Sequence, residues 1–228
     1  MDGRARGRPI GGVQRTALFA GSPDNRFYGL FRFFGQNLPM NLMEGTRALN
    51  HRAAREKWYY CCDAGLSFSD AYYDSLLALW RTKAGTRAMP RRSDFTPRDL
   101  KDVLRNIVIF ERVEQNPSRF RWRLIGTNLT AMAGDNTGKM FEETLPPDHI
   151  ARWVECGNLI LGGGQPLRFI GRVHLKGREY LNAENLFVPL ANEHDEPTFV
   201  MGLCRYTPRH SEDEQSWESQ IASIPGIQ

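Results

Sequence analysis

The sequence predicts an α+β fold: a five-stranded antiparallel sheet with helices on one face, preceded by an amphipathic helix. Three observations carry this. From Ile107 onward, apolar residues return at every second position or run together in five short stretches. Helical periodicity is concentrated between the second and third of these stretches. Clusters of Gly, Pro, Asn and Asp separate neighbouring stretches, as turns between antiparallel strands require.

The leading helix starts at Ser67-Phe68-Ser69-Asp70, which has capping-box spacing. Tyr73, Leu76, Leu77 and Trp80 follow at i, i+3, i+4 and i+7, and Gly85 ends the pattern. Thr96-Pro97-Arg98-Asp99 reads as a second helix start, with Leu100, Val103 and Leu104 as its apolar stripe. Ile107 to Phe110 is a β-branched run and a first strand. Asn116-Pro117-Ser118 is a turn, after which Phe120, Trp122 and Leu124 alternate with Arg121 and Arg123 to complete a hairpin.

Thr127 caps a short helix bearing Leu129, Met132 and Ala133, closed by Gly134. A longer helix opens at Pro147 and presents Ile150, Trp153, Val154, Gly157 and Leu161 on one side before Gly162-Gly163-Gly164. Gly157 lets that helix lie close to whatever it packs on. Three strands follow: one through Phe169, Gly171 and Val173, one from Tyr180 to Val188, and one through Phe199, Met201 and Leu203. His174 falls on the first of them, and Lys176-Gly177 is the tight turn after it.

Charge divides the chain unevenly. Residues 1–66 hold 10 Lys and Arg against 5 Asp and Glu, whereas residues 67–228 hold 20 against 21. Residues 1–66 therefore read as a disordered basic extension, residues 67–208 as the folded domain, and residues 209–228 as a polar tail. Translation from Met40 or Met43 is an alternative account of the extension. The near-neutral domain lacks the basic face that nucleic-acid binding requires. No apolar run is long enough to span a membrane. Cys61, Cys62, Cys156 and Cys204 match no zinc spacing, and they fit a reduced, cytoplasmic setting. No nucleophile–base set or phosphate-cradling loop stands in a plausible context, so the chain does not read as an enzyme.

Three blocks carry a family resemblance: LLALWRTKAGTRAMPRRSDFTPRDLKDVLRNIVIFE, RFRWRLIGTNLTAMAGDNTGKMFEE and ENLFVPLANE. Together they resemble the single-domain bacterial PAS proteins, a sensor group first catalogued as a domain of unknown function. Trp80, Met89 to Asp94, Arg121 to Thr127 and Pro189-Leu190 stand where that group has its motifs. The resemblance covers residues 67–208 and implies a curved sheet enclosing a pocket with its helices. It also implies sensory or adaptor work through protein–protein contact, as a stand-alone module with a homodimer or signalling-protein partner.

On that reading, the side chains expected to face a small-ligand pocket are Trp122, Leu124, Met132, Phe141, Trp153, Phe169, Gly171, Val173, Met201 and Leu203. The alternative is a filled core, in a purely structural dimerisation module; Gly171 is the best local hint of open space. Tyr72, Leu76, Leu79 and Trp80 are the expected partner interface on the leading helix. No covalent cofactor is expected. The Cys that flavin-binding relatives use is absent near Asn128, and His149 is the sole candidate for a haem ligand on the long helix. Arg87 and Arg91 have the R-x-x-x-R spacing of PilZ cyclic-dinucleotide effectors, but Arg121 stands where the accompanying motif needs Gly.

Overall fold

Asn41 opens the first helix of the computed structural model, which describes residues 41–68, 70–173, 177, 180–208, 219, 222 and 224. Residues 1–40 and most of 209–228 lie outside the described residues, as do His174, Lys176 and His210. Helix α1 (Leu42–Arg55) buries Thr46, Leu49, Asn50 and Ala53 along one stripe. Strand β1 (Tyr60–Asp63) follows. Both fall in the stretch expected to be disordered. The expectation failed there because two of the four buried positions in α1 are polar, so its apolar periodicity is weak.

Asp70 caps a turn of 3₁₀ helix, its carboxylate accepting from Tyr72 N at 2.8 Å, and the chain continues into α2 (Asp74–Ala84). The second expected helix does not form. Thr96 and Asp99 do exchange capping bonds, but the chain continues as tight turns with i+3 bonds and a single 3₁₀ turn at Leu104–Asn106. Then come β2 (Ile107–Gln115), β3 (Ser118–Ile125), α3 (Thr127–Ala133), α4 (Phe141–Thr144), α5 (Pro147–Gly163), β4 (Leu167–Arg172), β5 (Leu181–Ala191) and β6 (Pro197–Pro208). Every strand pairing is antiparallel, in the order β1-β4-β5-β6-β2-β3. The sheet therefore has six strands where five were expected, the sixth being β1 on the edge of β4.

Helices cover both faces rather than one. Val108 and Phe110 of β2 pack with Cys156, Leu159 and Ile160 of α5, whereas Ile107 and Ile109 pack with Leu76, Leu77 and Trp80 of α2. The same alternation divides β6: Val200 and Cys204 face α5, and Met201 and Leu203 face α2. At the β1 end of the α2 face, Arg168 is buried between Asp63 at 3.3 Å and Glu184 at 2.7 Å. Ile224, expected in a solvated tail, is buried against Cys61 and Ile170.

Candidate functional site

The space between the sheet and α5 is where the sequence places a pocket. Phe110 stands at its centre on β2. Its ring centroid lies 5.4 to 6.1 Å from those of Phe120, Trp122, Phe141, Trp153 and Phe187. Trp122 and Phe141 approach to 4.3 Å, and Trp122 Nε1 donates to Thr144 Oγ1 at 2.9 Å. Most of these contacts are edge-on or tilted, the arrangement in which aromatic quadrupoles attract. The cluster continues through Phe169, 5.5 Å from Phe187, to the ring of Tyr60 at 5.6 Å. Rings pack against one another through this region.

Local sequence explains how they meet. The β2–β3 pairing slips by one residue, from Ile109 opposite Leu124 to Phe110 opposite Trp122. Arg123 is the extra residue of this bulge, so Trp122 faces α5 while Leu124, two positions on, packs on the α2 side. Gly157 brings α5 close to the sheet, where a Cβ would sit 2.6 Å from Phe120 Cζ. A Cβ on Gly171 would lie 2.3 Å from Tyr60 Cβ. The strand glycine thus marks the close crossing of β1, not open space.

Of the ten residues expected around a pocket, Trp122, Phe141, Trp153 and Phe169 come together in the ring cluster. Leu124, Met201 and Leu203 lie on the opposite face, under α2. Either parity of β6 is apolar, so alternation alone could not say which set faces α5. Met132 is half-buried and Val173 is buried just beyond β4, and neither joins the cluster. Tyr60, Phe110, Phe120 and Phe187 were missed. Phe120 belongs to an apolar/charged alternation, whereas Phe110 and Phe187 stand in unbroken apolar runs that do not say which face each takes; Tyr60 sat in the stretch taken for disordered.

Cys62, Cys156 and Cys204 adjoin the rings. Burial pushes Cys156 and Cys204 up to about 12, and Cys62 well above the usual thiol range. They stay protonated and behave as small apolar groups. Tyr60 Oη meets Cys156 Sγ, tying β1 to α5. Among the described residues no three His, Cys, Asp or Glu side chains are placed to hold a metal ion. His149 stands in the first turn of α5 beside Arg52 and Trp58, away from the rings where an axial ligand would be needed.

The other expected sites resolve differently. Leu76 and Trp80 are interior, and Trp80 Nε1 donates to Pro189 O at 2.8 Å. Tyr72, on the 3₁₀ turn before α2, and Leu79, on α2, stay partly exposed. Arg87 pairs with Asp94 at 2.7 Å, and Arg91 grips Asp195 through two bonds of 2.7 and 2.5 Å. Both guanidiniums of the R-x-x-x-R pattern are thus held by carboxylates of the chain itself.

A family model described as PAS domain matches residues 70–205. The chain belongs to the PAS domain family. Membership makes it a sensory or signalling module, in a family that is in general sensory rather than catalytic. Among solved structures, it is similar to a sensory box histidine kinase/response regulator from Burkholderia thailandensis, at 13% identity and a TM-score of 0.35. That match covers 56% of this chain and 96% of the other. No curated protein matches. The PAS match takes in β2 to β5 and most of β6, and α1 and β1 precede it. No helix among the described residues is long and apolar enough to cross a membrane.

Proposed function

We propose that the chain is a cytoplasmic PAS-type adaptor that relays its signal through protein–protein contact on the exposed side of α2, with a second copy of the chain as its partner. The observation that carries this reading is the ring cluster: the volume in which a PAS domain would hold a ligand is filled here by Phe110 and its five aromatic neighbours. A filled interior leaves the surface to carry the signal. Tyr72 and Leu79 support α2 as the contact, because they add partly exposed apolar area next to a face already committed to the sheet.

Sedimentation analysis of the full chain tests it. Wild type should sediment as a dimer and Leu79→Glu as a monomer with an unchanged circular dichroism spectrum. A monomeric wild type at every soluble concentration, or a Leu79→Glu variant that keeps the wild-type mass, overturns the reading.

A further inference from the structure

A cavity lies outside the ring cluster. It occupies about 280 Å³ between the C-terminal end of α1 and the first turn of α5. Its walls are Arg52, Glu56, Lys57 and Trp58 on one side and Asp148, His149, Ala151 and Arg152 on the other. The volume sits just below the usual range for small-molecule sites, which suits a fragment-sized ligand.

The balance of charge in the walls is cationic where it is unspent. Glu56 is engaged by its neighbour Arg55 at 3.0 Å, and Asp148, largely exposed, lies 3.6 Å from His149 Nε2. Among the described residues, Lys57 and Arg152 pair with no carboxylate. Arg152 spends one nitrogen on Trp58 O at 3.3 Å and lies over the Tyr60 ring. Arg52 is spent on Glu155, which its Nη1 reaches. Trp58 supplies an apolar wall, its ring held under the Arg52 guanidinium at 5.4 Å.

We propose that this cavity binds a small organic anion, a carboxylate or phosphate carried on a compact apolar body, with Lys57 and Arg152 as its charge partners. One wall belongs to α1 and the other to α5, so the bound anion holds α1 against the long helix and thereby steadies β1 on the sheet edge. The site is separate from the ring-filled interior and from the exposed side of α2.

Titration calorimetry of the full chain with sodium benzoate and with phenyl phosphate, against sodium chloride at equal ionic strength, tests the proposal. At least one probe should bind saturably to wild type. Lys57→Gln and Arg152→Gln should each weaken that binding by about tenfold, the loss expected for one charge-assisted bond. Arg81→Gln, on α2, should leave it unchanged. Lys57 is exposed, so its variant decides the matter even where Arg152→Gln proves unstable. No heat from either probe, or wild-type binding by Lys57→Gln, overturns the proposal.

Discussion

Gly157 fixes how near the long helix comes to the sheet. Alanine ordinarily stabilises a helix by about 1 kcal/mol over glycine. Here its methyl group would lie within 3.1 Å of three atoms of the Phe120 ring, which is fully buried and cannot retreat. Overpacking of that kind costs about 1–3 kcal/mol. Gly157→Ala should therefore lower stability by up to about 2 kcal/mol in urea unfolding, the reverse of the usual sign. The buried thiols make a second residue-scale prediction. Cys61, Cys156 and Cys204 are each raised to about 12, chiefly by burial. The unfolded chain releases these protons near pH 8.5, while the fold retains them. Their contribution is thus intact below about pH 8.5 and is lost progressively as pH rises toward 12, by at most about 1.4 kcal/mol per pH unit for each thiol. Melting temperature should fall between pH 8.5 and 10, and Cys204→Ala should make the decline shallower. An equal slope in the variant would show that other groups govern the alkaline limit.

At the scale of elements, α1 and β1 form the part of the fold that does not announce itself. Asn50, 1% exposed, pairs with the outer edge of β1 as a neighbouring strand would: its Nδ2 donates to Cys62 O at 2.9 Å, and Cys62 N donates to its Oδ1 at 2.8 Å. One side chain closes an edge that would otherwise be open to pairing. Asn50→Ala strands two buried backbone groups, each costing about 1–3 kcal/mol, so a loss of about 2–6 kcal/mol is expected. Hydrogen exchange should show the Cys62 amide losing protection, while the β5 and β6 amides keep most of theirs. Equal loss across the sheet would mean β1 is not a separate unit. The sequence held one sign of α1: Asn41 and Glu44 have N-cap and N3 spacing. What hid it was composition, because Thr46 and Asn50 stand in its buried stripe where apolar residues are counted. By contrast α2, α5 and the β2–β3 hairpin were legible, since each joins a clear period to a defined stop such as Gly85, Gly164 or Asn116-Pro117.

For the whole molecule, the decisive property is a sheet buried on both faces. β6 runs Val200, Met201, Gly202, Leu203 and Cys204 without a polar residue, because its alternate side chains enter two different cores. Period-2 reading assumes one dry face and one wet one; where both are dry it yields pairing but not sidedness, and so the candidate pocket was gathered from both faces at once. The difference between a filled core and a ligand cavity lies in side-chain volume, and it can be measured. Phe110 is 1% exposed and meets five rings, so Phe110→Ala removes their common neighbour. In a packed interior this should cost about 3–5 kcal/mol, the transfer term plus the cavity left behind. Small apolar probes such as benzene should then raise the variant's melting temperature and leave wild type unmoved, since a dry engineered void accepts them. Were the interior a pocket already able to admit a ligand, wild type would respond to the same probes, and truncating Phe110 would enlarge an existing void at far lower cost. A loss under about 1 kcal/mol, or stabilisation of wild type by benzene, would return the signal to the interior and remove the argument for surface contact.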